Sequence, residues 1–187
     1  FIRELSIPCR EKGIVLSVDN YVPAPGNQFY NRKEQGIVAD YVIIMGYDEH
    51  YAGGDAGSVA SINYVENGIK DTLAQVPKEK VINGIPLYTR VWTEGPDGKV
   101  TSSSLGIARA KDWVSENKVE LYWQEELGQY YGELQSEEGL KKLWLEDERS
   151  IGLKMDLIKQ YGLAGVACWK LGFEPSDLWD EIRLDKK

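Results

Sequence analysis

The 187 residues hold 22 Lys and Arg against 30 Asp and Glu, a formal net charge of −8, and 42% of them are hydrophobic. That share is globular, and the length suffices for a domain with a real core. An acidic surface repels phosphate backbones, so no nucleic-acid partner is expected. The absence of any apolar run of about eighteen residues argues against a membrane-spanning helix.

In chain order, Phe1 to Glu11 reads as an amphipathic helix with Phe1, Ile2, Leu5 and Cys9 near one face, although Pro8 interrupts it. Its mixed charge is unlike a secretory signal, and any export signal is expected upstream of it. Gly13 ends the helix, and Ile14 to Val18 reads as a strand that runs out into Asp19, Asn20 and Tyr21. Tyr41 to Met45 is a second strand, apolar enough to be expected buried on both faces. It ends in Gly46-Tyr47-Asp48, and a Gly-rich loop leads to a helix over 58–75 with Ile62, Val65, Ile69 and Leu73 as its apolar stripe. Val81 to Ile85 is a third strand, running on to Pro86, Tyr88 and Arg90. Gly165 to Trp169 is a fourth, between a helix over 150–161 and a short one over 177–182.

Strand-to-strand spacing near 30 residues is that of a (β/α)8 barrel, but the third gap is longer by roughly 50 residues. The excess contains a helix over 105–116 and strand-like runs at 119–124, 129–134 and 142–146. The expected fold class is α/β: half of a TIM barrel carrying an inserted α+β subdomain. The expected divisions are barrel units over 1–91, the insertion over 92–147 and a last unit over 148–187. Open sheet edges of a half barrel invite self-association.

Active sites of such barrels lie at the C-terminal ends of the strands. Here the strands end in Asp19-Asn20-Tyr21, Met45-Gly46-Tyr47-Asp48, Tyr88-Thr89-Arg90-Val91-Trp92 and Trp169-Lys170. Tyr and Trp combine a flat apolar face with a hydrogen-bonding tip. With Asp and Arg beside them they suit sugar rings, which have an apolar C–H face and polar edges. Plainer readings stand alongside: Asp48 as a helix cap, Arg90 as a surface charge, Trp169 as core, Asp19 and Tyr21 as turn residues. Glu146 to Arg149 reads as a structural charge network. Cys9 and Cys168 read as buried thiols, and His50 as a loop residue; no metal or cofactor site is expected.

At these residues the chain resembles glycoside hydrolase family 18, the chitinase-like enzymes. Met45-Gly46-Tyr47-Asp48 is similar to the family's sixth-strand Met-x-Tyr-Asp motif. The run from Gly84 to Trp92 is similar to its seventh-strand Gly-x-Pro-x-Tyr-x-Arg-x-Trp motif, and Trp169 to its eighth-strand tryptophan. The segment from Trp144 to Ser150, with Gly165 to Gly172, resembles the bacterial spore and cell-wall branch. The resemblance makes this the C-terminal half of the barrel, with strands like the fifth to eighth. It implies substrate-assisted retaining hydrolysis, in which the substrate's 2-acetamido carbonyl attacks the anomeric carbon. Tyr47 would position that carbonyl and Asp48 would favour the developing charge. Met45, Tyr88, Arg90, Trp92, Trp169, Asp19 and Tyr21 would contact an N-acetylglucosamine-containing oligosaccharide or polysaccharide. The resemblance also implies an extracellular, cell-wall or spore location.

The family's Asp-x-x-Asp-x-Asp-x-Glu motif, which ends in the catalytic acid, is absent from the 187 residues. The acid is expected upstream of Phe1, and this chain alone is expected to be inert. A chitinase-like lectin and an assembly module remain as alternative functions.

Overall fold

A computed structural model describes residues 1–184. Two sheets organise the chain. The first has four parallel strands, β1 (Ser17–Tyr21), β2 (Tyr41–Met45), β3 (Val81–Pro86) and β9 (Gly165–Trp169), in the order β1-β2-β3-β9. The second has five antiparallel strands, β4 (Tyr88–Glu94), β5 (Val100–Gly106), β6 (Leu121–Gln124), β7 (Gln129–Ser136) and β8 (Gly139–Leu145), in the order β5-β4-β8-β7-β6. Among the described residues neither sheet closes on itself. The long helices are α1 (Ile2–Glu11), α2 (Arg32–Val38), α3 (Ile62–Leu73), α4 (Ile107–Glu116) and α5 (Glu148–Tyr161). None is long and apolar enough to cross a membrane.

Helix ends follow local chemistry. Asn31 and Ser61 cap α2 and α3 by accepting from Glu34 N and Tyr64 N. Asp147 and Ser150 cap α5 reciprocally, and Gly162 ends it with a left-handed φ of 63°. Val42, Ile44 and Val81 pack beneath Val65 and Ile69 of α3. Ile85 and Leu87 pack against Ile151, Met155 and Ile158 of α5. Val91, Leu143 and Leu145 of the second sheet meet Ala110 of α4 in a separate cluster.

Several elements depart from the sequence expectation. The first strand begins at Ser17, not Ile14; Ile14 and Val15 are exposed, and pairing starts at Ser17↔Tyr41. The second strand is buried on one face only. Val42 and Ile44 face the helices, while Tyr41, Ile43 and Met45 face a side that no described element seals. The helix expected over 58–75 spans Ile62–Leu73, because Ser58 to Ala60 are buried and non-helical before the Ser61 cap. The expected run past Pro86 into Arg90 breaks at Leu87, so the second sheet begins at Tyr88 and not at residue 92. Strand β5 was unexpected, and it delays α4 to Ile107. The last short helix is a 3-10 turn over Ser176–Asp180. Cys9 and Cys168 are half-buried, not fully buried.

Candidate functional site

Because β1, β2, β3 and β9 run parallel, their last residues share one rim. Register places Tyr21 beside Met45, Met45 beside Gly84, and Pro86 beside Trp169. Tyr21, Met45, Tyr47, Asp48 and Trp169 line a cleft of about 200 Å³ at that rim. Roomier hollows exist, one of about 530 Å³ between Pro23–Arg32 and Asp71–Gln75, so volume alone does not mark the site. Convergent polar groups do.

Two glycines let the rim close up. A Cβ on Gly46 would lie 2.6 Å from the Gly84 oxygen, and one on Gly84 would lie 2.9 Å from the Ile44 oxygen and 3.2 Å from Tyr47 Cε1. Beyond Gly46 the chain turns sharply, with Asp48 at φ 59°, a left-handed conformation that costs a non-glycine residue energy. The turn aims the carboxylate at the second sheet. Tyr88 donates its hydroxyl to Asp48 Oδ1 at 2.5 Å, and Arg90 Nη2 stands 3.9 Å from the same oxygen. Arg90 Nη1 donates to Ser102 Oγ at 3.2 Å, while its buried Nε has no partner among the described residues. The Arg90 side chain is 15% exposed and that of Asp48 is 42% exposed, so the pair opens to the cleft.

Tyr47 packs edge-on to Tyr88, with ring centroids 6.4 Å apart. Burial, then the charges of Asp19 and Asp48, push its hydroxyl up to about 12. Tyr47 is therefore a neutral donor at any physiological pH. Burial, then hydrogen bonding to Asp48, also raises Tyr88 well above the usual phenol value. Asp19, exposed on the open face of β1, enters only through its charge. Trp169 is 55% exposed at the end of β9 and offers its ring to the cleft. A cis peptide bond follows it.

Tyr21, Met45, Tyr47, Asp48 and Trp169 line one space, and Tyr88 and Arg90 join it through Asp48. Trp92 is a correction. It is fully buried and donates Nε1–H to the Gly57 oxygen at 2.9 Å, so the β2–α3 segment covers it and no ligand reaches it. Sequence reading missed Tyr64, whose hydroxyl donates to the Tyr47 oxygen at 3.5 Å and is pushed up to about 12 by burial, then by Glu49 and Asp48. It also missed Glu49, which binds Ser61 N at 2.8 Å and Ser61 Oγ at 3.0 Å and so anchors the turn after Asp48. The only available signal was Glu49's adjacency to Asp48. His50 lies outside the cleft, with Nδ1 3.0 Å from the Asp55 oxygen. Among the described residues no cluster of three metal-ligating side chains exists.

In chemical terms the cleft offers a braced carboxylate, a neutral phenol donor and two flat exposed rings. Several solved structures share this fold. The chain superposes on a chitinase from Chromobacterium violaceum with a TM-score of 0.89 and 26% identity, over 97% of this chain and 58% of that one. The spore cortex-lytic enzyme SleL of Bacillus cereus gives a TM-score of 0.87 and 25% identity, over 97% and 43%. Among curated proteins, YdhD of Bacillus subtilis, named a sporulation-specific glycosylase, is 30% identical over 184 residues, 94% of this chain and 43% of YdhD. The cortical fragment-lytic enzyme of Bacillus anthracis is 30% identical over 156 residues, 80% of this chain and 35% of that protein. The chain spans less than half the length of these curated relatives. Residues 1–174 match the family model for glycosyl hydrolases family 18, and the chain belongs to that family.

Proposed function

We propose that this chain forms one wall of the catalytic site of a hydrolase cutting an N-acetylglucosamine-containing polymer, of the chitin or peptidoglycan type. In this reading the four parallel strands are the C-terminal half of an eight-stranded barrel. A partner half would cover the outer edges of β1 and β9, which otherwise invite self-association. The cortex-lytic and sporulation-named relatives favour a bacterial spore or cell-wall setting.

The single observation that carries the reading is Asp48, clamped by Tyr88 and Arg90 beside Tyr47 in a cleft walled by Trp169. Trp169 stacks under the sugar whose bond breaks. Tyr47, kept neutral, donates to the acetamido carbonyl and holds it in line with the anomeric carbon. As that carbonyl attacks, positive charge develops on the oxazolinium ion, and the Asp48 carboxylate stabilises it. Arg90 and Tyr88 fix the Asp48 carboxylate and line the neighbouring subsite. The proton for the leaving oxygen comes from a glutamate outside these 187 residues, so this chain alone turns nothing over.

The test is hydrolysis of N-acetylglucosamine oligomers by the complete gene product. Asp48→Asn is expected to slow it by about 10²-fold, a typical loss for one charge-stabilising group. Unchanged turnover would sink the role of Asp48. Oligomer binding by a wild-type protein that never hydrolyses would favour a chitinase-like lectin instead.

A further inference from the structure

Asp48 is held in a conformation that a non-glycine residue does not keep by itself. Its φ of 59° lies in the left-handed region, which a β-carbon disfavours. Such a residue persists where its surroundings over-determine it. Tyr88 and Arg90 grip Asp48 from β4, but those contacts act on the carboxylate and not on the backbone.

The backbone is gripped from the other side. Glu49 N donates to the Val59 oxygen at 3.0 Å, and His50 N donates to the Ser58 oxygen at 3.2 Å. The Glu49 carboxylate then closes on Ser61. Its Oε2 accepts from Ser61 N at 2.8 Å and its Oε1 accepts from Ser61 Oγ at 3.0 Å, a charge-assisted tie at two points. Ser61 is a firm anchor: it is buried, it caps α3, and it follows the buried Ser58, Val59 and Ala60. Ser58 Oγ accepts from Ala60 N at 3.0 Å and donates to Gln129, while Ile62 N donates to the Leu127 oxygen at 2.9 Å. One residue past Asp48, the chain is thus fastened to a stretch that both α3 and the second sheet hold. Both Glu49 oxygens are spent on Ser61, and Glu49 does not line the cleft with Tyr47, Asp48 and Trp169. Its effect on substrate passes through its neighbours.

We propose that Glu49 is a positioning residue for hydrolysis. Its tie to Ser61 keeps the Asp48 turn left-handed and so aims the Asp48 carboxylate and the Tyr47 hydroxyl at the reacting acetamido group. The inference rests on the glycosidase reading above and adds that the aim is set from the start of α3, outside the cleft. A misplacement of about 1 Å can cost about 10²-fold in rate, so an anchor that touches no substrate still governs turnover.

The experiment measures kcat and KM on N-acetylglucosamine oligomers, together with Tm, for the complete gene product. Glu49→Ala is expected to lower kcat by about tenfold or more while KM changes by less than about twofold, because the contacts that bind substrate remain. Glu49→Gln keeps the length, accepts from Ser61 N and donates to Ser61 Oγ, so its kcat is expected within about threefold of wild type. Glu49→Asp keeps the charge but is one methylene short of both bonds, and it is expected to fall with alanine. Should the alanine variant fail to fold, the Gln and Asp variants decide. Glutamine as poor as alanine, or aspartate as good as wild type, would overturn the tie, because charge and not reach would then matter. A lowered Tm with unchanged kcat would overturn it too, since Glu49 would then only brace α3. An active wild type matched by Glu49→Ala would overturn this inference alone, whereas a wild type inert on every oligomer would overturn the glycosidase reading and the inference with it.

Discussion

Two regions of this molecule are built from the same parts and do opposite things. At the rim, the Asp48 carboxylate meets a tyrosine hydroxyl and a guanidinium; behind the second sheet, the Glu146 carboxylate meets a serine hydroxyl and an ammonium. Glu146 and Lys154 are wholly buried, with Lys154 Nζ 3.0 Å from both carboxylate oxygens. Ser150 Oγ donates to Glu146 at 2.6 Å and Gln129 Nε2 at 2.7 Å, and Ser58 donates to Gln129 in turn. Asp48 has its donors on Oδ1 only; among the described residues no donor bonds Oδ2. It is also more than a third exposed and sits in a strained backbone conformation. Saturation and burial make a structural tie, whereas unspent acceptor capacity facing a cleft makes a site.

The largest expected difference between the two is in stability. Lys154→Ala leaves the buried Glu146 without its counter-charge, and burial already favours its protonated form. We expect a loss of about 3–5 kcal/mol in urea denaturation of the complete gene product. Asp48→Asn is expected to cost at most about 1 kcal/mol there, as for other exposed pairs, while losing most of the activity. If both substitutions shifted stability equally, the contrast between tie and site would be lost.

A smaller effect appears at high pH. The Tyr47 hydroxyl is raised to about 12 from its ordinary 10. The unfolded chain releases that proton first, so the contribution to stability is complete below about pH 10 and is lost as pH rises through about 12. Denaturation midpoints across that window should fall more steeply in wild type than in Tyr47→Phe; parallel curves would contradict the assigned shift. Smaller still, burial raises the Cys168 thiol to about 11, so at pH 8 iodoacetamide should modify Cys168 many times more slowly than a free thiol. Rapid alkylation there would mean that the end of β9 is open.

Much of the rim was legible because its chemistry sits at the ends of strands that declare themselves. Tyr41 to Met45 and Gly165 to Trp169 are apolar runs with abrupt polar or aromatic stops, and both strands lie where those runs lie. Strand β5 was not legible because Thr101-Ser102-Ser103-Ser104 has no apolar alternation; only pairing with β4 makes it a strand. Trp92 misled because it shares a sheet face with Tyr88 and Arg90, and only the fold brings Gly57 down upon it. Tyr64 was hidden in the opposite way. Its position in the first turn of α3 reads as ordinary helix surface, yet the helix start is drawn against the Asp48 turn by Glu49.

The most direct test is diffraction from crystals of the complete gene product soaked with an N-acetylglucosamine oligomer. The account predicts a sugar ring stacked on Trp169, its acetamido oxygen within hydrogen-bond distance of the Tyr47 hydroxyl and Asp48 facing the same group. An oligomer bound elsewhere, with the Tyr47–Asp48–Trp169 cleft left to solvent, would contradict it.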